Sequence, residues 1–144
     1  MAIVEASGIE PLVALSGDGT DGQKALAADA LRNLAFENDD HQVAIAQAGG
    51  IAPLVALARD GTDDQKTPAA GALRNLAANA DNQLAISQAG GIAPLLALAR
   101  GGTDEQKAIA AGALDAYEGR LLNKDGTPAW PSEDADASDS KADL

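Results

Sequence analysis

An 18-residue stretch of this chain occurs three times. Residues Gly49–Lys66 and Gly90–Lys107 differ at three positions, and Ser7–Lys24 is a third, more divergent copy. The proline in each copy lies 42 and then 41 residues after the one before. Self-similarity at a fixed period of this length is typical of solenoids, in which each repeat packs only on its neighbours. The repeat therefore predicts a stack of similar units.

Each repeat contains signals that begin and end helices. Gly49-Gly50 supplies the left-handed conformation that ends one helix, and Pro53 fits the first turn of the next. Thr62 and Gln65 have the spacing of a capping box, which satisfies free amides at a helix start. Each unit is thus predicted to hold a short, a medium and a long helix, the last of about 15 residues.

The composition favours the same fold class. Apolar residues make up 46% of the 144 residues, but only Phe36, Tyr117 and Trp130 are aromatic. Alanine dominates, and it is the best helix former. The chain has no cysteine, which excludes disulfides, thiolate catalysis and Cys-based zinc sites. We predict an all-α fold.

The net charge of −12 bears on the partner. Phosphate backbones are bound by basic surfaces, so this charge argues against nucleic acid. It suits basic peptides, while the alternative interpretation is that acidic residues keep an alanine-rich surface soluble. Segment 123–144 holds six acidic residues and two lysines and is predicted to be disordered.

The sequence also bears on location. No stretch approaches a transmembrane length, and the first residues lack the basic flank of a signal peptide. We therefore expect no membrane insertion and an intracellular location, in the cytoplasm, the nucleus or both.

Two motifs resemble the armadillo repeat. They are AGGI..LV.L, at Ala48–Leu57, and AL.NLA, at Ala30–Ala35 and Ala72–Ala77. The resemblance implies a right-handed α-solenoid of about three repeats, like scaffolds of the importin-alpha and beta-catenin type. The repeats are placed at residues 2–38, 39–79 and 80–122, with the acidic segment 123–144 outside the array.

The resemblance also implies a binding groove. In armadillo proteins the long third helices line a concave surface, and the asparagine of AL.NLA is similar to the ladder asparagine that holds an extended peptide. Asn33 and Asn75 are the matching positions. An asparagine amide offers a donor and an acceptor side, which match the N–H and C=O of a peptide unit. Helical periodicity places four more side chains on the face of Asn33: Leu26, Asp29, Phe36 and Glu37.

We therefore predict a non-catalytic protein-interaction module that binds an extended segment in this groove. Asp29 and Glu37 would attract a basic residue, and Leu26 and Phe36 would receive apolar ones. The alternative is that the asparagines are exposed polar residues retained with the repeat pattern.

The chain departs from the importin pattern at several positions. That pattern has a tryptophan four residues before the ladder asparagine, whereas this chain has Asp29, Gly71 and Gly112 there. The third ladder position is Ala116. A site for nuclear-localisation cargo like that of importin is therefore not expected. Arg32 is predicted to lie at the edge of the groove and to pair with Asp29 three residues earlier.

A structural role is the alternative function. The chain would then extend or cap a larger solenoid and would stack or self-associate through residues 2–15, which no polar helix covers. At the other end the last helix is expected to stop near Asn123. Polar residues break its apolar pattern, which is typical of a C-terminal cap: Asp115, Tyr117, Glu118 and Arg120.

The search for catalytic residues gave no assignment. His41 is the only histidine, and it is interpreted as a solvated residue near a helix start. Metal sites need several converging ligands, and the acidic pairs are explained by helix starts. We predict no enzyme activity, no metal and no cofactor.

Two local predictions concern single residues. Pro68 lies inside the second long helix and predicts a kink there, or a restart with Thr67 as the cap. Trp130 is expected to pack on the last helix, the alternative being an exposed recognition residue.

Overall fold

The structure is a computed structural model that describes residues 2–117 and, beyond them, residues 121, 125, 127 and 130. The side chains are described from Gly8 onward. All regular elements in this part of the chain are α-helices: α1 (Ala2–Asp18), α2 (Asp21–Ala35), α3 (Asp39–Gln47), α4 (Ile51–Asp60), α5 (Asp63–Leu76), α6 (Ala80–Gln88), α7 (Ile92–Gly101) and α8 (Asp104–Asp115).

Equivalent helices of successive repeats stack on one another. The long helix α2 packs on α5, and α5 packs on α8, while α1, α4 and α7 form a second row and α3 packs on α6. Leu31, Leu73 and Leu114 occupy the same place in the three long helices, and all are fully buried in one continuous core. The protein is thus an all-helical solenoid of about three repeats, as predicted.

The capping boxes form at all three predicted places. The side chain of each capping threonine accepts a hydrogen bond from the backbone N–H three residues later; these threonines are Thr20, Thr62 and Thr103. The Oε1 of the glutamine at that later position accepts in turn from the backbone N–H of the threonine at 3.0 Å. Gln65 also donates to the carbonyl of Asp21 in the preceding repeat at 3.1 Å. The boxes therefore fix both the starts of the long helices and their stacking.

The first repeat lacks the helix break that the glycine pairs produce later. Gly49 and Gly90 adopt φ angles of +82° and +81°, which residues with a Cβ rarely adopt. Ser7 holds the equivalent place in the first copy, and α1 runs through it without interruption. The continuous helix agrees with the residue present, because serine does not readily adopt the left-handed conformation.

Helix α5 continues through Pro68. It begins after the Thr62 cap and runs unbroken from Asp63 to Leu76, so the predicted restart at Thr67 is wrong. The hydroxyl of Thr67 donates to the carbonyl of Asp63 at 3.1 Å instead of capping a new helix. The kink at Pro68 stays a prediction.

The last helix ends earlier than expected. It stops at Asp115, with Ala116 as C-cap, and not near Asn123. Tyr117 is buried and occupies the place of Leu34 and Leu76 in the earlier repeats; its hydroxyl donates to the carbonyl of Gln83 at 2.6 Å.

Trp130 packs against the core and its Nε1–H donates to Asp115 Oδ1 at 2.8 Å, so the predicted packing of Trp130 is confirmed. Of segment 123–144, which was predicted to be disordered, the structure describes only Asp125, Thr127 and Trp130. The rest of that prediction lies outside the described residues.

Within the described part, no single helix reaches the length and hydropathy of a membrane span. The pairs α3–α4 and α6–α7 do so only when taken together, with bends of 85° and 88°.

Candidate functional site

The long helices α2, α5 and α8 form one surface with two hollows between neighbouring helices. The first, named the Leu26 hollow, includes Leu26, Asp29, Arg32, Asp63, Asp64 and Glu105. The second, named the Phe36 hollow, includes Phe36, Glu37, Asp39, Gln42, Arg74, Asn75 and Asp115.

Five of the six predicted groove residues line these hollows. Leu26 and Asp29 lie together in the Leu26 hollow, and Phe36, Glu37 and Asn75 lie together in the Phe36 hollow. Asn33 is exposed on α2 but lines neither hollow. The helical periodicity missed the acids that join each hollow from other elements, because it follows one helix at a time.

The two ladder asparagines differ in their hydrogen bonding. The amide nitrogen of Asn75 donates to the backbone carbonyl of Arg32 at 2.8 Å, one repeat earlier. This carbonyl belongs to the last turn of α2, where carbonyl groups have no partner within the helix. The side chain of Asn33 makes no hydrogen bond to any described residue. Both Nδ2 and Oδ1 of Asn33 are therefore available to a ligand, whereas Asn75 has only its Oδ1 available.

Side chains of α3 satisfy the other carbonyls at the end of α2. His41 Nδ1 donates to the carbonyl of Leu34 at 2.8 Å, and Gln42 Nε2 donates to the carbonyl of Ala35 at 2.9 Å. His41 is half-buried, so its interpretation as a solvated residue is wrong. Because the bonding partner is a carbonyl, His41 Nδ1 carries the proton.

These bonds hold the turn that carries Phe36 and Glu37. Phe36 is 61% exposed, and Glu37 adopts a φ angle of +52°, in the left-handed region. The side chain of Asn38 then caps α3 by accepting from the backbone N–H of His41 at 2.9 Å. The next repeat is one residue shorter here and has no aromatic residue in the corresponding loop.

Arginines occupy the place of the missing tryptophans. A Cβ atom on Gly71 would lie 2.6 Å from Cδ of Arg32, and one on Gly112 would lie 2.7 Å from Nε of Arg74. Each arginine side chain thus lies close to the backbone of the next long helix, where an added Cβ would force it to move. The predicted ion pair between Arg32 and Asp29 is wrong, since these two described residues form none.

Both hollows are rich in carboxylates. The Leu26 hollow contains four, from Asp29, Asp63, Asp64 and Glu105, against the single guanidinium of Arg32. The Phe36 hollow contains three against the guanidinium of Arg74. Low-dielectric walls concentrate such a field, which attracts basic ligands.

Size does not distinguish these hollows from a third one on another part of the surface. The hollow between α4 and α7 has a volume of about 590 Å³, compared with about 580 Å³ and 510 Å³ for the Leu26 and Phe36 hollows. Among the described residues, no group of three or more His, Cys, Asp or Glu side chains is placed to hold a metal ion.

Comparison with known proteins gives one family and a set of similar structures. Residues 38–78 match the model of the armadillo/beta-catenin-like repeat. A designed armadillo repeat protein in complex with the peptide (KR)4 is 28% identical, with a TM-score of 0.73 over 79% of this chain and 48% of that chain. A computationally designed armadillo repeat protein for modular peptide recognition is 29% identical, with a TM-score of 0.73 over 78% of this chain and 48% of that chain.

An engineered protein is 31% identical, with a TM-score of 0.71 over 76% of this chain and 44% of that chain. The chain thus spans less than half the length of these three structures. No curated protein matches it.

Proposed function

Because the chain is an armadillo-repeat protein, we propose that it is a non-catalytic interaction module that binds an extended, basic peptide segment across α2, α5 and α8. The observation that carries this proposal is the acidic lining of both hollows on the surface formed by the long helices. A structural neighbour of 28% identity in complex with the peptide (KR)4 supports it.

Main-chain recognition would rest on the two asparagines. The free amide of Asn33 can pair with both the N–H and the C=O of a peptide unit. Asn75 can accept from a peptide N–H through Oδ1 while its Nδ2 stays bonded to the carbonyl of Arg32. Packed helices lie about 8–10 Å apart, a distance that an extended segment covers in about two to three residues. One asparagine therefore serves every second or third peptide unit.

Side-chain recognition would rest on the hollows. Their carboxylates attract basic residues, and the exposed side chains of Leu26 and Phe36 offer apolar contact. Two asparagines give few directional bonds, and binding must offset the loss of translational freedom. We expect dissociation constants of about 1 μM or weaker.

Selection from a displayed library of random peptides tests the proposal. An enriched peptide should bind the parent chain several times more tightly than the Asn33→Ala variant. Gln47→Ala is the matched control, because Gln47 is an exposed amide on α3 that lines neither hollow. The proposal fails if no peptide is enriched, or if both variants bind as the parent does. A structural role through residues 2–15 would then be tested by measuring the oligomeric state.

A further inference from the structure

We propose that the Phe36 hollow is a subsite for the guanidinium group of an arginine side chain. This inference rests on the proposed function and names the residue that the bound segment places in this hollow. Three independent features of the hollow carry it: an unsatisfied buried acceptor, an excess of further acceptors, and an exposed aromatic ring.

The unsatisfied acceptor belongs to Gln42. Its Nε2 donates to the carbonyl of Ala35 at 2.9 Å, which fixes the orientation of the amide. The side chain is 2% exposed, and its Oε1 has no hydrogen-bond partner in the described part of the chain. Buried acceptors without a donor are rare in folded proteins and costly. Gln42 lines the Phe36 hollow, so a donor bound in this hollow would lie beside the unpaired amide and could reach Oε1 after a small shift of the side chain.

The other polar atoms of the hollow are mostly acceptors. Asn75 has committed its Nδ2 to the carbonyl of Arg32 and retains Oδ1. Glu37, Asp39 and Asp115 contribute carboxylates, and Asp115 also accepts a hydrogen bond from Nε1–H of Trp130. Arg74 is the opposing charge, and its side chain lies against Gly112. A ligand that complements this set is a cation with several donors.

The aromatic ring selects between the two cationic side chains. Phe36 is 61% exposed and stands on a turn whose backbone bonds run from Phe36 N–H to Asn33 and from Asn38 N–H to Ala35. A guanidinium is planar, stacks on aromatic faces and carries five donors in a rigid fork. The ammonium group of lysine is a compact, strongly hydrated charge, so it stacks less well on the ring and has fewer donors for these acceptors. The hollow therefore favours arginine over lysine.

The Leu26 hollow provides an internal comparison. It contains four carboxylates, but its lining has no aromatic residue and no buried side-chain atom without a partner among the described residues. If charge alone decided binding, a cation would bind the Leu26 hollow at least as tightly as the Phe36 hollow. A preference for the Phe36 hollow would therefore come from its ring and its unpaired acceptor.

The test uses a single-residue probe on the full chain. N-acetyl-arginine amide and N-acetyl-lysine amide are titrated separately while backbone amide shifts are followed by NMR. The arginine probe should shift the amides of residues 36–42 and of Asn75, and it should bind about fivefold or more tightly than the lysine probe. Equal binding of both probes, or shifts centred on other residues, would overturn the subsite.

Two variants locate the interaction. Phe36→Leu removes the ring and keeps an apolar side chain, and Glu37→Asn removes the charge with a residue that tolerates positive φ. Both should weaken arginine binding about threefold or more, whereas Asp81→Asn, which removes an exposed carboxylate outside both hollows, should not. Circular dichroism first shows that all variants are equally helical. Equal effects of Glu37→Asn and Asp81→Asn would overturn the inference.

The probe separates this inference from the proposed function. A single residue does not need a groove along three repeats, so the arginine titration remains informative if no extended peptide binds. Conversely, peptides that bind through Asn33 but keep their affinity when arginine is replaced by lysine would support the groove and overturn the subsite.

Discussion

The side-chain amide of Asn75 donates a hydrogen bond of 2.8 Å to the backbone carbonyl of Arg32, which lies 43 positions earlier in the chain. The bond joins two successive long helices at the surface proposed to bind peptide. It gives Asn75 a structural role that Asn33, at the equivalent position one repeat earlier, does not have.

Asn75→Ala should therefore lower the free energy of unfolding by about 1 kcal/mol, because the carbonyl of Arg32 loses its partner. Asn33→Ala should change it by less than about 0.5 kcal/mol, since this side chain is exposed and makes no bond within the described chain. Urea unfolding followed by circular dichroism measures both. Equal effects of the two substitutions would show that the bond does not contribute to stability.

The contact between Arg32 and Gly71 predicts an energetic coupling. Alanine is a better helix former than glycine by about 1 kcal/mol, but a Cβ at position 71 would displace the Arg32 side chain. Gly71→Ala should therefore stabilise the Arg32→Ala variant more than the parent, by about 0.5 kcal/mol or more. A double-mutant cycle from urea unfolding gives this coupling. A coupling of zero would mean that the arginine has other positions of equal energy.

The positive φ angle of Glu37 predicts a stabilising substitution. Glu37→Gly should raise the free energy of unfolding by about 0.5 kcal/mol, because glycine adopts this conformation without a steric penalty. Glu37→Ala removes the same charge but keeps the Cβ, so it should not stabilise the protein. If both substitutions have the same effect, charge and not backbone conformation decides stability at this position.

The hydroxyl of Tyr117 predicts a cost for its removal. It donates to the carbonyl of Gln83 at 2.6 Å, and the ring is buried. Tyr117→Phe keeps the ring and leaves this carbonyl without that donor, so it should cost about 1 kcal/mol of unfolding free energy. Thermal unfolding of the two proteins measures the difference. An unchanged midpoint would contradict a stabilising role for this bond.

Much of the fold follows from rules that act over a few residues. The repeated spacing correctly predicts where several residues lie: the threonine and glutamine of each capping box, the glycines at 49 and 90, and the buried leucine of each long helix. The unbroken helix α1 follows the same local chemistry, since one serine in place of a glycine removes the break.

The candidate site is predictable only in part, because neighbouring repeats complete it. The helical periodicity placed Leu26, Asp29, Phe36 and Glu37 on one face, whereas the structure divides them between two hollows. Three features of the site depend on contacts between different helices. They are the hydrogen bond from Asn75 to Arg32, the arginines that lie against Gly71 and Gly112, and the bond from His41 to the end of α2. Such contacts require the relative placement of helices, which local periodicity does not supply.

The most direct test of the central claim is the binding of a labelled (KR)4 peptide, followed by fluorescence anisotropy. The account predicts saturable binding that weakens with salt and weakens several-fold when Asp29→Asn and Glu37→Gln are combined. It also predicts that Glu10→Gln combined with Asp81→Asn, an equal charge change outside both hollows, leaves the affinity close to that of the parent. No saturable binding, or an equal loss in both pairs of variants, would contradict a peptide-binding groove on the long helices.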